Sequence, residues 1–166
     1  MPTIINPDDL EYKKDAHAPV PFDLLTLTPR LFKTVGAKHF AFDMRKLEPG
    51  SFNFPYHFHR NAEELFMIFS GSMTLRTPKG LEIIKAGQII FFEIGETSAH
   101  QCYNHDTVPC VYLDIRSTAG IDITEYPDSG KIHIIPYDET FENRSNVDYH
   151  KGEENVQQIW DELKKE

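Results

Sequence analysis

One short run of the sequence, residues 56–71, constrains the chain more than any other. It places His57 and His59 one residue apart, then Glu64, and then an apolar segment that ends at Gly71. Side chains of a β-strand alternate between its two faces, so histidines at this spacing point to the same face, with Cα atoms roughly 6.6 Å apart. Two imidazoles at that separation can bind one ion, at about 2.1 Å from each nitrogen. The run therefore predicts part of a metal site.

The segments around this run predict an all-β fold. Short stretches rich in β-branched and aromatic residues recur between residues 25 and 135, and turns with glycine or proline separate them. This pattern is typical of a β-barrel or a β-sandwich. The predicted strands cover residues 25–28, 40–45, 52–60, 64–70, 73–76, 81–85, 88–92, 99–103, 110–116 and 131–135. We expect the strands at 99–103 and 110–116 to pair as a hairpin.

The two ends of the chain differ from its middle. The first residues carry four prolines among polar residues, which predicts an extended arm. Near the C-terminus, apolar residues at positions i, i+3, i+4 and i+7 predict an amphipathic helix. These apolar residues are Val156, Ile159, Trp160 and Leu163. The predicted domains are therefore an N-terminal arm at 1–24, a β-barrel at 25–136, and a C-terminal tail with the helix at 137–166.

Charge and composition limit the partners and the compartment. The chain has 166 residues and a net charge of −9, which opposes binding to nucleic acid or to an anionic membrane. No apolar run approaches the ~20 residues that span a bilayer, and the first residues lack the basic and apolar regions of a secretory signal. We therefore expect a cytoplasmic protein in which Cys102 and Cys110 are free thiols, with a cross-strand disulfide or a redox role as the alternatives.

Two glycine-bounded motifs carry a resemblance to a known family. The first has two histidines one residue apart, a glutamate after four residues and a glycine after six more. The second has two glycines, a histidine and an asparagine four positions after that histidine. The residues are His57, His59, Glu64 and Gly71 in the first motif, and Gly87, Gly95, His100 and Asn104 in the second. In this order and spacing they resemble the two motifs of the cupin family, over residues 50–104.

The sequence departs from the family pattern at three places, which we interpret as loop variation. Gly50 precedes the first histidine by one residue more than usual, Glu93 stands where proline is expected, and two extra residues precede the histidine of the second motif. The resemblance implies a double-stranded β-helix, or jelly-roll, barrel with a metal ion near one end of its cavity. It also implies the four ligands of that ion: His57, His59, Glu64 and His100.

The resemblance and the ligand set together predict a function class. Three imidazoles and one carboxylate suit a divalent ion such as Fe, Mn, Zn or Ni, and a five- or six-coordinate ion would keep a position open for a substrate. The expected function is that of a metal-dependent enzyme on a small organic molecule, of the dioxygenase or the isomerase/lyase type. A non-catalytic module that binds or senses a small molecule is the alternative. Tyr103, Tyr112 and Asp114 are candidates for a general base, and the sequence does not choose among them.

Strand parity gives two further expectations. If Glu64 faces into the barrel, so do Phe66 and Ile68, which either make the cavity apolar or simply fill the barrel. The opposite face, which includes apolar side chains at 65, 67 and 69, is not one that an antiparallel sheet shows to water. The arm, the C-terminal helix or a second subunit are the candidates to cover it, and we predict a homodimer.

Overall fold

The computed structural model describes residues 2–142 and 146–164, and it consists mainly of antiparallel β-strands. The strands are β1 (Glu11–Lys14), β2 (Leu24–Thr28), β3 (Phe40–Leu47), β4 (Phe58–His59), β5 (Glu64–Ser70), β6 (Ser72–Thr77), β7 (Gly80–Lys85), β8 (Ile89–Phe92), β9 (Gln101–Tyr103), β10 (Cys110–Ser117), β11 (Asp122–Tyr126), β12 (Lys131–Ile135) and β13 (Glu139–Phe141). The α-helices are α1 (Leu31–Thr34) and α2 (Val156–Leu163), and the 3₁₀ helices are Pro7–Asp9 and Glu96–Ser98. The predicted all-β class with a C-terminal helix is confirmed.

Antiparallel pairing arranges the described strands into three sheets. The largest has the order β1-β2-β3-β10-β5-β8, and the others have the orders β13-β12-β11-β4 and β7-β6-β9. An isolated bridge between His57 and His100 joins the two smaller sheets, because each residue donates its backbone N–H to the carbonyl of the other. This bridge brings the two halves of the sequence pattern together.

The core lies on the inward face of the large sheet, as strand parity predicts. Glu64, Phe66 and Ile68 on β5 are all buried, whereas the residues between them are only partly covered. Phe66 and Ile68 pack in the main hydrophobic cluster with Met73 and Cys102. They fill the barrel and do not line its cavity, so the second of the two parity alternatives is confirmed.

Gly71 connects β5 to β6 where the chain passes close to the start of β10. Its φ of 75° lies in the left-handed region, and a Cβ built there would stand 2.6 Å from the carbonyl oxygen of Pro109. Any side chain would push β10 away from β5. The glycine that closes the first motif is therefore required by the packing of these strands.

Two sequence predictions about strands are wrong. The strand expected at 52–60 is reduced to β4, because Pro55 has no N–H to donate to a ladder. The hairpin expected between residues 99–103 and 110–116 does not form: β9 pairs with β6, and β10 lies between β3 and β5. The side chain of Asn104 donates to the carbonyls of Leu47 and Val108, which fixes the connection as a wide loop.

The ends of the chain show how far the sheets extend. β1 pairs with β2 and so adds a strand to the large sheet from within the segment assigned to the arm. β11 was not predicted, and β13 follows the strand that we expected to be the last. The domain bounds 1–24, 25–136 and 137–166 stay predictions. No helix in the described part of the chain has the length and apolar character to cross a membrane.

Candidate metal centre

Three of the four predicted ligands converge on one point. The ligand atoms of His57, His59 and Glu64 all lie within 4.8 Å of one another. His59 is on β4 and Glu64 is the first residue of β5, while the bridge to His100 holds His57 in place. All three residues are buried. The short His-x-His-to-Glu spacing therefore produces the cluster that it predicts, by a single reversal of the chain.

His100 approaches the same cluster from the other side. It is not part of the group of three among the described residues, but its Nε2 lies 3.1 Å from Oε2 of Glu64. Its ring stacks on Phe92, with centroids 3.8 Å apart and planes at 20°. The packing thus fixes the ring beside the glutamate, and its role as the fourth ligand stays a prediction.

The histidines direct one nitrogen outward and leave the other for the centre. Nδ1 of His57 lies 2.8 Å from the carbonyl oxygen of Pro55, and Nδ1 of His100 lies 2.9 Å from that of Ser98. A carbonyl oxygen only accepts, so Nδ1 carries the proton in each neutral ring and Nε2 keeps its lone pair. This is the tautomer that a metal ligand needs.

His59 is oriented by a carboxylate that the sequence pattern did not indicate. Its Nδ1 lies 2.5 Å from Oδ2 of Asp122, the first residue of β11, and Oδ1 of Asp122 accepts from the backbone N–H of Asn61 at 2.9 Å. Burial alone would raise the pKa of Asp122, but the bonds from His59 and Asn61 hold it below its usual value. A carboxylate behind a metal-binding histidine is a frequent arrangement, because it fixes the ring and makes it more basic.

The electrostatics of the cluster keep the ligands in their metal-binding forms. Burial, with help from the neighbouring His100 ring, lowers the pKa of His57 to about 3, so this imidazole is neutral. Burial opposes ionisation of Glu64, but its close polar contact with His100 and the charges of the three surrounding histidines outweigh it and hold the pKa of Glu64 well below its ordinary value. A neutral imidazole at His57 and an ionised carboxylate at Glu64 are the states in which these two side chains bind a metal ion.

Among the described residues, four buried side-chain atoms have no hydrogen-bond partner, and two of them lie in this cluster. They are Oε2 of Glu64 and Nε2 of His100. In the tautomer with the proton on Nδ1, these two atoms face each other at 3.1 Å as two acceptors. A positive ion between them would satisfy both lone pairs, so the residues present fit a metal ion.

Comparison with known proteins agrees with this geometry. The model of the cupin domain matches residues 44–116, which include all four predicted ligands. Residues 44–116 are therefore similar to the cupin domain. No curated protein sequence matches the chain significantly.

Solved cupin-like structures share the fold over most of the chain. A sugar phosphate isomerase of the cupin superfamily from Silicibacter pomeroyi is 20% identical, with a TM-score of 0.74 over 89% of this chain and 98% of the other. A candidate sugar phosphate isomerase from Acidithiobacillus ferrooxidans is 25% identical, with a TM-score of 0.65 over 75% and 82%. A polyketide cyclase from Streptomyces resistomycificus is 22% identical, with a TM-score of 0.56 over 70% and 80%.

The candidate ligands His57, His59 and Glu64 line a cavity of about 740 Å³, a volume suited to a small organic molecule. Its wall combines apolar side chains with many polar and charged ones. The charged and polar side chains come mainly from β2, β3, β10 and β12. They include Thr26, Arg30, Asp43, Arg45, Asn53, Asp114, Arg116, Lys131 and His133. The cavity therefore fits a ligand that carries both apolar and polar groups.

A buried ion pair forms part of the cavity wall next to the metal centre. Arg45 on β3 donates from Nε to Oδ2 of Asp114 on β10 at 3.0 Å, and from Nη1 to Oγ1 of Thr26 at 2.5 Å. Burial raises the pKa of Asp114 to about 6, with Arg45 opposing the rise and Glu64 adding to it. Asp114 is the one candidate base that lines the cavity.

The other two candidate bases face elsewhere. Tyr112 is fully buried in the hydrophobic cluster beside Phe66. Tyr103 lies on β9 and packs its ring against Phe52, with centroids 4.7 Å apart. Strand parity alone could not choose among these three candidates for the general base, because it does not say which layer of the barrel borders the cavity.

Proposed function

We propose that this protein is a metal-dependent enzyme of the isomerase or lyase type that acts on a small hydroxy-carbonyl compound. One observation carries the proposal: the Asp114–Arg45 pair lies in the wall of the same cavity that His57, His59 and Glu64 line. A carboxylate beside an electrophilic centre is what proton abstraction next to a carbonyl group requires.

The residues divide into those that would hold the metal and those that would move a proton. His57, His59, Glu64 and His100 would be the ligands of a divalent ion, which when bound makes a neighbouring carbonyl group more electrophilic and its α-hydrogen more acidic. Asp114 takes a proton from the carbon next to the carbonyl group and returns it to the adjacent carbon. The hydroxyl proton of the substrate passes to the original carbonyl oxygen, so that the reaction is a balanced isomerisation.

Arg45 has a positioning role in this scheme. Its Nε donates to Oδ2 of Asp114 and so fixes the carboxylate in the cavity wall, where it would exchange a proton with the substrate. Its bond to Thr26 fixes the guanidinium against β2, so that the carboxylate keeps one orientation. A dioxygenase would need the metal but not this carboxylate, and the pair therefore favours the isomerase or lyase type over the dioxygenase type.

The charges of the cavity support a substrate with an anionic group. Arg30 is bonded to Asp43 and Arg116 lies near Asp122, so both guanidinium groups already have carboxylate partners. Lys131 has no carboxylate partner among the described residues; its Nζ lies over the Tyr126 ring, 5.3 Å from the centroid. We assign to Lys131 the binding of an anionic group of the substrate, such as a phosphate. This assignment agrees with the 25% identical relative, which is a candidate sugar phosphate isomerase.

Proton exchange provides a direct test. The protein is loaded with Mn²⁺, Fe²⁺, Zn²⁺ or Ni²⁺ and incubated in D₂O with aldose and ketose phosphates of three to six carbons. Proton NMR then follows the loss of the C–H signal next to the carbonyl group. We expect exchange with at least one substrate, and Asp114→Asn should slow it by about 10²–10⁴-fold while metal content stays unchanged.

Asp128→Asn is the matched control, since Asp128 pairs with Arg76 on the surface. Its exchange rate should equal that of the unmodified protein. If Asp114→Asn exchanges as fast as the control, Asp114 is not the base. If no compound exchanges although the metal binds stoichiometrically, the protein is a binding module and the enzymatic proposal fails.

A further inference from the structure

The outward face of the large sheet carries an apolar surface two rows deep and four strands wide. In the first row, strand pairing places Phe42 opposite Ile115, Ile115 opposite Leu65, and Leu65 opposite Phe91. In the second row it places Met44 opposite Leu113, Leu113 opposite Met67, and Met67 opposite Ile89. We refer to these eight side chains as the apolar ladder. None of them is buried, and Ile89 and Phe91 on the edge strand β8 are 60% and 59% exposed.

Polar residues enter at the border of the ladder. The next row on the same face aligns Lys46 with Val111 and Val111 with Ser70, so both ends of this row are polar and its centre is apolar. Adjacent strands are about 4.8 Å apart, so four strands span about 14 Å between the outer ones. A contiguous apolar surface of this width with a polar rim is typical of a protein–protein contact.

A second apolar surface of this chain also lacks a partner. Helix α2 presents Val156, Ile159, Trp160 and Leu163 on one side, and these residues are 50–61% exposed. None of the described residues of the helix is buried. The helix extends about 12 Å at 1.5 Å per residue, which is close to the width of the ladder. An eight-residue helix in water is marginal by itself, so it requires an apolar surface to lie on.

Helix α2 does not lie on the ladder of its own chain, since its apolar side chains are exposed. Helix α2 follows β13, the edge strand of a different sheet, whereas the most exposed end of the ladder is β8. Successive turns between Asp148 and Val156, closed by hydrogen bonds from Lys151, Glu153 and Val156, shorten the connection. The N-terminal segment does not cover the ladder either, because β1 continues the sheet beside β2.

We propose that two copies of the chain form a dimer in which helix α2 of each copy lies on the apolar ladder of the other. The contact is made twice about a two-fold axis, as is usual for a symmetric dimer. Each copy then buries both its helix stripe and its ladder, toward the roughly 800 Å² per partner that a standard stable interface buries.

The single tryptophan of the chain reports on this contact directly, because Trp160 lies in the helix stripe. At 50 μM protein we expect a dimer by light scattering after size-exclusion chromatography, with blue-shifted tryptophan emission. Dilution to the nanomolar range should dissociate the dimer and shift the emission to the red. Red-shifted emission at every concentration, or emission that stays blue-shifted in a monomer, would overturn the proposal.

Substitutions on each surface separate the two halves of the contact. Ile159→Asp with Leu163→Asp alters the helix, and Met67→Lys with Leu113→Lys alters the ladder. Each pair should raise the dissociation constant at least 100-fold. The matched controls are Gln158→Asp, outside the helix stripe, and Ser70→Lys, one row beyond the ladder; both should remain dimers. Circular dichroism checks that each variant is folded.

Mixing the two altered proteins distinguishes exchange between copies from contact within one copy. The mixture should form a heterodimer, because the intact helix of one protein can lie on the intact ladder of the other. A mixture that stays monomeric contradicts the proposal. A helix variant that remains dimeric also contradicts it, since the ladders would then pack on each other. If the ladder variant fails to fold, the helix variant and the dilution of Trp160 still decide the question.

Discussion

The carboxylate behind His59 provides the sharpest test of the metal centre. In Asp122→Asn the side chain keeps its shape but loses its charge and one acceptor. Oδ1 is required by the N–H of Asn61 at 2.9 Å, so the new amide nitrogen would face Nδ1 of His59, where Oδ2 now lies at 2.5 Å. Two donors cannot face each other in this contact. The variant must therefore lose either the present tautomer of His59 or the hydrogen bond from Asn61.

Both outcomes weaken metal binding. If His59 moves its proton to Nε2, the lone pair that faces Glu64 is lost. If the substituted amide rotates instead, the hydrogen bond to Asn61 is lost, at about 0.5–1.5 kcal/mol, and the imidazole also loses its negative partner. Substitution of a group behind a metal ligand typically lowers affinity 10–100-fold, or about 1.4–2.7 kcal/mol. We expect the same range for Asp122→Asn.

The assay is competition between the protein and a chromophoric chelator for Zn²⁺ or Mn²⁺, with the bound metal measured by mass spectrometry. Asp128→Asn is again the matched control and should bind as the unmodified protein does. His59→Ala should bind far more weakly than either. The reasoning is refuted if Asp122→Asn retains an affinity within twofold of the control while His59→Ala loses the metal, because His59 would then be a ligand that needs no carboxylate partner.

Three further predictions concern stability and reactivity. Burial lowers the pKa of His57 to about 3 from 6.5, so between these two pH values the unfolded chain binds one proton more than the folded chain. The free energy of unfolding of the metal-free protein, measured by urea titration, should therefore fall by about 1.4 kcal/mol per pH unit as the pH drops through this window. His57→Asn should reduce this slope. Burial raises the pKa of Cys110 to about 11 and that of Cys102 beyond the ordinary range, so neither free thiol should react with a disulfide reagent at pH 8 until urea unfolds the protein. Gly71→Ala should cost about 3 kcal/mol in urea denaturation, whereas Gly87→Ala, with positive φ but open space around it, should cost less; equal losses would contradict the role given to the close approach of Pro109.

Three of the candidate ligands, His57, His59 and Glu64, were predictable because their positions follow from local spacing. His57 and His59 share a face by the period of a strand, and one chain reversal brings Glu64 beside them. His100 followed from the motif that it shares with Asn104, not from strand geometry. The oxygens that orient the rings had no such signal. Two of them are backbone carbonyls of Pro55 and Ser98, for which any residue type would serve.

Long-range strand pairing accounts for most of what the sequence did not predict. Asp122 reaches His59 only because β11 pairs with β4, and β11 itself was not predicted. The hairpin expected across residues 104–109 failed for the same reason, since β10 has better partners in β3 and β5. Local patterns indicate that a strand exists, but the choice of neighbour depends on burial of whole faces.

The alternation of β3 and β10 is inverted relative to a sheet that faces water, and this inversion links the cavity to the dimer contact. On β3, Asp43 and Arg45 are buried and line the cavity, whereas Met44 between them is only partly buried and does not line it. On β10, Asp114 faces inward between two outward apolar residues. Charged residues can occupy the interior because each meets an opposite charge, as Arg45 meets Asp114 and Arg30 meets Asp43.

The apolar residues outside cannot be satisfied in the same way within one chain. Charged residues of the cavity wall take inward positions on β3 and β10, so apolar residues of these two strands lie on the other face. Exposed apolar area of this extent favours association with another surface. In the proposed dimer, a cavity with a charged wall and a partner subunit are two consequences of one pattern, and a variant that abolishes the dimer should also lower the thermal stability of the β3–β10–β5 layer that holds Glu64 and Asp114.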